Sequence, residues 1–497
     1  MLRLMVTMKV YLMGSGATLP VLREGNEKST HGLQVKVLTR KTQMQLLKPE
    51  TTTLVDQASE SVPTRILEVE LGQPLLAVSA FDDKTGRHYQ RAFCLIRLHS
   101  QPLGVVEIPI GESGVSADEL AELIWCSLQE PMIEHLRQDG LPAATALDRE
   151  GLCSSGVPRC IEERDTFLAR APFVSVIVST HDRPELIESC LHSLLAIQYP
   201  RYEIIIVDNA PTTNATAALV QQSYAAMPQV RYVREDRPGL SWARNCGTRA
   251  ARGEIVAFTD DDVVVDPYWL AELVRAFDSA DDVACVTGLG LPLELETATQ
   301  FLFEEHGAFN NGFSRRIFDM KENRPKNPLH PYTVGRFGAG ASMAFRATFL
   351  RDVGGFDPAL GTGSLARGGE DLAIFFQVMT RGYKLVYEPA SLLYHLHRRD
   401  YLDLRKQIYN CGVGLTAYLT KSLLDSPRLL FDFVVKVPYG LFFALSSRSP
   451  RNSKKSAHYP KELTALELKG MLYGPFAYLR SRWTTYHRRK VFRVGKG

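Results

Sequence analysis

The 497 residues carry 58 Lys and Arg against 55 Asp and Glu, and 45% of positions are hydrophobic. That balance is ordinary for a globular protein: it supports a sizeable core, argues against wholesale disorder, and at this length suggests roughly three domains. No uncharged apolar run reaches the roughly 18 residues of a membrane-spanning helix, so no span is expected.

The start, Met1 to Leu12, is mildly apolar but interrupted by Arg3 and Lys9, which does not read as a signal peptide. The cysteines (Cys94, Cys126, Cys153, Cys160, Cys190, Cys246, Cys285, Cys411) are scattered without a CxxC pair or a zinc-like spacing. Free thiols in a reducing compartment are the expectation. Residues 1–165 alternate short apolar runs with turn residues, as in Thr64-Arg-Ile-Leu-Glu-Val-Glu-Leu71, Ala92-Phe-Cys-Leu-Ile-Arg-Leu98 and Gly104-Val-Val-Glu-Ile-Pro109. Asp82-Asp-Lys-Thr-Gly86 is hairpin-loop material. The reading is an antiparallel β-rich domain with one helix from Ser116 to about Arg137, joined onward by a Gly-, Pro- and Ser-rich linker, Leu141 to Asp165. His99 and His135 stand alone in sequence and read as surface or packing residues rather than ligands.

From Ala171 the rhythm changes. Phe173-Val-Ser-Val-Ile-Val-Ser179 is a near-continuous apolar strand closed by Thr180-His-Asp-Arg-Pro184, and Pro184 suits the first turn of a helix. A second such strand, Glu203-Ile-Ile-Ile-Val-Asp208, ends at Asp208-Asn209. After a helix near Ala215 to Met227, a strand Val230 to Val233 and a helix from Leu240 to about Arg252 comes Glu254-Ile-Val-Ala-Phe-Thr-Asp-Asp-Asp262. Strands alternating with helices predict an α/β fold, a mostly parallel sheet covered on both faces. A buried strand ending in acids puts them where such sheets hold ligands. Asp260 and Asp262, two apart in extended chain, face one side and could share a divalent cation. The plainer alternative is a solvated acidic turn.

Further on, a helix near Tyr268 to Phe277 and a strand Val283 to Thr287 precede a looser region reaching about Phe337. In Gly338-Ala-Gly-Ala-Ser-Met-Ala-Phe-Arg346 the glycines permit close backbone approach. A Gly-rich run, Gly361 to Gly369, feeds a helix opening at Glu370-Asp371 and running to about Arg381. That suits a lid with an acid pair beside a reacting centre, or a helix start carrying acids for its dipole. In Tyr387-Glu-Pro-Ala-Ser-Leu-Leu-Tyr-His-Leu-His397, His395 and His397 face one side if extended, compatible with metal contact, phosphate contact or packing.

From Tyr401 the pattern is helical: Tyr401 to Leu423, Pro427 to about Ser446, Leu463 to Arg480. The middle segment is apolar but broken by Asp432, Lys436 and Pro438, which fits a kinked interfacial helix or one packed on the preceding domain. From Arg448 to Gly497 there are 13 Lys/Arg and 2 Asp/Glu, a local +11, which leaves about −8 elsewhere against the overall +3. With Trp483, Tyr486 and Phe492 interleaved, this end suits an anionic lipid surface; no nucleic-acid recognition motif accompanies it.

Taken together, residues 171–400 resemble the catalytic domain of family 2 glycosyltransferases, of GT-A fold. The matches come in family order: Val174 to Pro184, Ile206-Val-Asp-Asn209, Gly239-Leu-Ser-Trp-Ala-Arg-Asn245, Thr259-Asp-Asp-Asp262, Gly368-Gly-Glu-Asp371 and His395-Leu-His-Arg398. The resemblance implies a nucleotide-sugar donor (UDP-sugar favoured), Mn2+ or Mg2+, a glycan or glycolipid acceptor and inversion. By position it implies that Asp208 bonds the base, that Thr180 and Arg183 line the nucleoside pocket, and that Arg244, Asp260 and Asp261 contact the nucleotide sugar. Asp260, Asp262 and His395 would hold the metal, and Asp371, with Glu370 beside it, would serve as catalytic base. Gly340, Ser342 and Gly369 would lie on the acceptor side. His181-Asp182 stands where the family often has Tyr-Asn, and Ser342 where close relatives often have Asn. The implied organisation is a β-rich domain (1–165), a GT-A domain (166–400) and a helical region (401–497), working in the cytoplasm or peripherally at the inner membrane face. A retaining transferase, a sugar nucleotidyltransferase or a catalytically silent glycan-binding scaffold are the alternatives.

Overall fold

The computed structural model describes residues 62–494 except 84, 153–155, 308, 447, 450, 453, 454 and 457. The apolar start at Met1 to Leu12 lies outside the described residues. The first unit contains strands β1 (Thr64–Glu70), β2 (Phe81–Asp82), β3 (Arg87–His88), β4 (Arg91–Leu98) and β5 (Gln101–Pro109). The Asp82-to-Gly86 loop does join a small hairpin, and Gly86 supplies its φ of 67°. β4 and β5 are antiparallel through a two-residue turn, His99-Ser100, with φ 55° and 68°. β1, however, pairs with β4 in parallel, from Thr64 opposite Arg91 to Glu70 opposite Arg97. The purely antiparallel expectation fails there because alternation reports which face of a strand is buried, not the direction of its neighbour. A helix, Ala117–Gln138, covers this sheet; the Ser116 side chain caps it by accepting the Glu119 amide at 3.2 Å. The stretch read as a linker, Leu141 to Asp165, runs into a helix, Arg159–Leu168.

Polar contacts bolt this unit to the α/β domain. Buried Arg97 donates to Asp266 at 2.6 Å, the Thr64 amide to Leu295 O at 2.8 Å, and Tyr89 Oη to Glu296 at 2.7 Å.

The central sheet comprises β6 (Val174–Thr180), β7 (Tyr202–Asn209), β8 (Val230–Glu235), β9 (Ile255–Asp260), β10 (Val263–Val265), β11 (Val283–Pro292), β12 (Arg316–Phe318), β13 (Met343–Arg346) and β14 (Lys384–His395). Its order is β10-β14-β11-β13-β9-β6-β7-β8, with β12 beside β14. β6 is parallel to β7 and β9, β7 to β8, and β11 to β14, while β13 runs antiparallel between β9 and β11. This is a GT-A-like α/β fold: a mostly parallel sheet with helices around it. The apolar runs are continuous because both faces are covered. Ile205 and Val207 pack on one side with Ala243, and Ile204 and Ile206 on the other with Ile187 and Leu191. Each such side chain contributes about 1.5–3 kcal/mol by leaving water.

The looser region before residue 337 hides a helix, Ala298–Gly307, whose Phe303 and Leu302 pack against the start of the helix Tyr401–Asp425. That last helix is crossed very closely by another, Lys461–Val494. A Cβ on Gly412, Gly470 or Gly474 would come within 2.1, 2.2 or 2.0 Å of an atom across the interface, so only glycine fits there. Between them lies Leu430–Leu445, with Pro438 inside it and only Ala444 buried.

Candidate active site

The carboxyl ends of four strands share one edge. Thr180 lies opposite Asp208, Ser179 opposite Asp260, and Val263, just past the triple acid, opposite His395. The tight turn Asp261-Asp262 between β9 and β10 then sorts the three acids. Asp260, Asp262 and His395 offer donor atoms that all lie within 4.8 Å of one another, an arrangement able to hold a divalent cation. Asp261 turns the other way, into the protein, where it accepts from Thr180 Oγ1 at 2.7 Å and Arg183 Nη1 at 3.2 Å. The Thr180 hydroxyl, expected to line a nucleoside pocket, is therefore buried and committed to Asp261 instead.

The electrostatics follow from this crowding. His395 Nε2 is 3.3 Å from Asp262 Oδ1, and Arg183 and Arg398 lie 3.5 and 3.9 Å from its other oxygen. Burial opposes ionisation of Asp262, but these cations overcome it and hold the carboxyl at about 2. Burial likewise opposes charge on His395, yet Asp262 raises it. Asp260 is raised by burial first, and further by Asp262 and Asp371, with Arg244 opposing. Asp261 is pushed to about 6 by burial and then by Asp262. Carboxylates gathered faster than compensating charge are what a divalent ion relieves, and two carboxylates with an imidazole are a suitable donor set.

His395 is oriented from behind. Its Nδ1 is 3.2 Å from His397 Nδ1, and His397 Nε2 is 2.5 Å from Glu304. His397 thus stands outside the cation-holding group and fixes the ring that belongs to it. Sequence reasoning missed Glu304, since it lies about 90 residues away on a helix that carried no recognisable signal.

Across the pocket, Arg244 from the helix Leu240–Ala250 is buried at a junction. It donates to Glu370 at 3.0 Å, Asp260 at 3.3 Å and Gly340 O at 3.1 Å. Glu370 is pushed up to about 7 by burial and by Asp371, against the pull of Arg244. Asp371 is the more open of the two; its Oδ2 lies with Arg244 Nη2 beside Gly340, and its charge raises Asp260. A side chain on Gly340 would crowd Asp371 Oδ2 and Arg244 Nη2, each at 3.1 Å. Gly369 has φ 84°, and a Cβ there would lie 2.4 Å from Gly414 O, so glycine lets the start of the Glu370–Thr380 helix seat against the Tyr401–Asp425 helix. Ser342 departs from the expectation of an acceptor-side group. Its hydroxyl is buried and accepts from Trp269 Nε1 at 3.0 Å, in the core.

At the far end of the edge Asp208 is buried. One oxygen accepts from Tyr232 at 2.8 Å, while Oδ1 has no hydrogen-bond partner among the described residues. Burial raises its pKa. The His181-Asp182 pair ties neighbouring loops together: His181 Nδ1 is 2.7 Å from Asn209 O, and Asp182 accepts from the Thr212 amide at 3.0 Å.

Comparison with known proteins bears on this geometry. Residues 175–349 match the family described as glycosyl transferase family 2. Glycosyltransferase AglE of Haloferax volcanii is 31% identical over 247 residues, covering 49% of this chain and 73% of that one. The glucosyl-dolichyl phosphate glucuronosyltransferase of the same organism is 25% identical over 195 residues, 38% of this chain and 57% of that one. An uncharacterized glycosyltransferase of Nostoc sp. is 31% identical over 118 residues, 24% and 37% of the two chains. The chain thus spans less than two thirds of the length of these last two relatives. A solved mannosyltransferase from Pyrobaculum calidifontis, in complex with GDP-Man and Mn2+, shares 20% identity with a TM-score of 0.39, covering 67% of this chain and 90% of that one. A likeness that slight has no bearing on function.

Proposed function

This chain belongs to glycosyl transferase family 2 and is a glycosyltransferase, and from that premise we propose an inverting, metal-dependent transfer of a sugar from a UDP-sugar to a hydroxyl of a cell-surface glycan or glycolipid. The observation that carries the proposal is the convergence of the Asp260, Asp262 and His395 donor atoms within 4.8 Å, near enough to Asp371 for its charge to raise Asp260. Asp260, Asp262 and His395 would hold Mn2+ or Mg2+, the imidazole favouring Mn2+. When bound, such an ion neutralises charge developing on the departing diphosphate. Asp208 Oδ1, buried and unpaired, is an acceptor suited to a base N–H, which supports its role in donor recognition.

Asp371 is the proposed base. A sugar hydroxyl is a weak acid, so attack needs a carboxylate within hydrogen-bond reach to take its proton at Oδ. Glu370 is turned to Arg244 and serves to hold that carboxylate in place. Of the two part-exposed carboxylates, Asp260 belongs to the cation-holding group and Asp371 is left as base, which favours single displacement over a double one. A screen of nucleotide sugars, reading released nucleoside diphosphate, tests the proposal; no release from any donor with Mn2+ present would overturn it.

We further propose that the C-terminal helices rest on an anionic membrane surface at the cytoplasmic face. No helix among the described residues is long and apolar enough to cross a membrane. Yet Leu430–Leu445 leaves Phe431 81% exposed and Val435 62%, with Leu430, Val434, Leu441 and Leu445 also bare. Leu472, Phe476 and Trp483 are exposed on the last helix beside Arg480 and Arg482. Apolar side chains among cations suit insertion at a lipid headgroup boundary.

A further inference from the structure

The N-terminal unit contains a second convergence of donor groups, well separated in sequence and unrelated to the transfer chemistry. His99 sits in the β4–β5 turn, His135 in the last turn of the helix Ala117–Gln138, Asp139 at that helix's C-cap, and Cys160 in the first turn of Arg159–Leu168. Their donor atoms all lie within 4.8 Å of one another. His99 Nδ1 is 2.7 Å from Asp139 Oδ2 and 3.1 Å from His135 Nε2. His135 Nε2 is 3.2 Å, and Cys160 Sγ 3.1 Å, from that same Oδ2.

Protons alone do not satisfy this arrangement. Each ring nitrogen either carries a hydrogen or offers a lone pair. If both carry hydrogens toward Oδ2, two N–H groups oppose each other across the 3.1 Å side. If one donates to the other, the acceptor's lone pair then faces Oδ2. With Asp139 ionised, as its donors hold it, no placement satisfies all three sides of the triangle, and the group is nearly closed to water: His99 and Asp139 side chains are 7% and 4% exposed, and His135 is 11% exposed. A cation at the centre turns every one of these contacts into a ligand bond. Around a tetrahedral zinc, with bonds of about 2.0–2.3 Å, ligand atoms stand roughly 3.3–3.7 Å apart, so the four contacts of 2.7 to 3.2 Å need only open by about half an ångström.

We propose that His99, His135, Asp139 and Cys160 form a structural Zn2+ site that clasps the N-terminal unit to the segment leading into the catalytic domain. The charges balance: Zn2+ against the Cys160 thiolate and the Asp139 carboxylate, with two neutral imidazoles, leaves a buried site of zero net charge. Binding releases the thiol proton to solvent. Four protein ligands and no open position mark a structural rather than a catalytic ion. The surroundings hold the ligands in place. Asp139 Oδ1 accepts the Cys160 amide at 2.9 Å, which leaves Oδ2 for the ion. Glu70 accepts the amides of His99 and Ser100 at 2.9 and 3.0 Å, fixing a turn that two non-glycine residues hold at positive φ. The clasp reaches the catalytic domain through Arg164, one turn beyond Cys160, whose guanidinium lies 3.6 Å over the Tyr268 ring and 3.5 Å from Glu272.

The test uses the full chain, purified under reducing conditions, supplied with Zn2+ and dialysed to remove loose metal. Elemental analysis is expected to find about one zinc per chain that Asp262→Ala retains and His135→Ala loses. Substitution with Co2+ serves if that variant folds badly: the unmutated protein should give tetrahedral d–d bands and a thiolate charge-transfer band, and Cys160→Ser should lose the latter. Full zinc content in His135→Ala, its loss in Asp262→Ala alone, less than a tenth of an equivalent in the unmutated chain, or a cobalt spectrum without thiolate character would each overturn the proposal.

Discussion

Arg244 is where the pocket is most exposed to a single change. Its guanidinium donates to Glu370, Asp260 and the Gly340 carbonyl from a buried position, joining the acid-bearing strand, the Gly340 loop and the helix that carries Asp371. Truncation in Arg244→Ala leaves two carboxylates and a carbonyl without their donor, and removing one partner of a buried ion pair costs about 3–5 kcal/mol. Arg244→Lys keeps the charge but a point donor cannot span three acceptors, so loss of about 1.5–3 kcal/mol is expected. Urea unfolding of the three proteins, with the slope compared to confirm like transitions, reads these differences. Turnover should fall on the order of 100-fold in both variants, because an ångström of drift in the base suffices for that. A cycle with Glu370→Gln isolates the pair: coupling of about 0.5–3 kcal/mol is expected between them. If Arg244→Ala unfolds within about 0.5 kcal/mol of the unmutated protein and turns over at its rate, the junction does not hold the pocket together.

Asp371→Asn should lower transfer by roughly 100- to 10,000-fold while UDP still binds, as titration calorimetry would read; unchanged turnover removes Asp371 from the chemistry. Asp262→Ala should abolish the Mn2+-dependent part of UDP binding, and equal affinity with and without Mn2+ in the unmutated chain would contradict the cation site. Glu370 gives a pH signature: its folded value of about 7 lies above the ordinary 4.5, so the folded state holds the extra proton. Its contribution to stability is therefore full below about 4.5 and lost as pH rises through 7, by about 3 kcal/mol, and Glu370→Gln should flatten that slope in melts across pH. Phe431→Ser with Val435→Ser, or truncation after about residue 425, should reduce co-sedimentation with vesicles of anionic lipid; sedimentation equal to the full chain's would end the membrane reading.

Much of the catalytic half was legible because its signals are local. A strand buried on both faces reads as an unbroken apolar run, and where it meets carboxylates the chain has reached the sheet edge. Asp260 and Asp262 do come to one side, though across a turn rather than along an extended strand, and His395, in register with Val263, completes the trio. Less local facts were misread. Their spacing of two implies that Asp261 points away, but nothing in the order of residues says that Thr180 follows it inward. Ser342 looked like an acceptor-side group because of the loop it sits in, whereas its direction is set by Trp269, 73 positions earlier. The helix Ala298–Gly307 was invisible because its large apolar residues come as one run, Phe301-Leu302-Phe303, with no 3.6-residue repeat.

The N-terminal unit explains why spacing fails altogether in one place. A zinc site is recognisable in sequence when its ligands come in pairs a few residues apart on one turn. Here only His135 and Asp139 are such neighbours, and an i, i+4 His-Asp pair is common on any helix surface. His99 arrives from a hairpin turn and Cys160 from a helix embedded in what reads as a linker. What brings them together is the packing of the helix Ala117–Gln138 across the sheet, which is a tertiary fact. The two donor clusters therefore differ in kind: one is written along strand ends that a parallel sheet must align, and the other exists only once separate elements have docked.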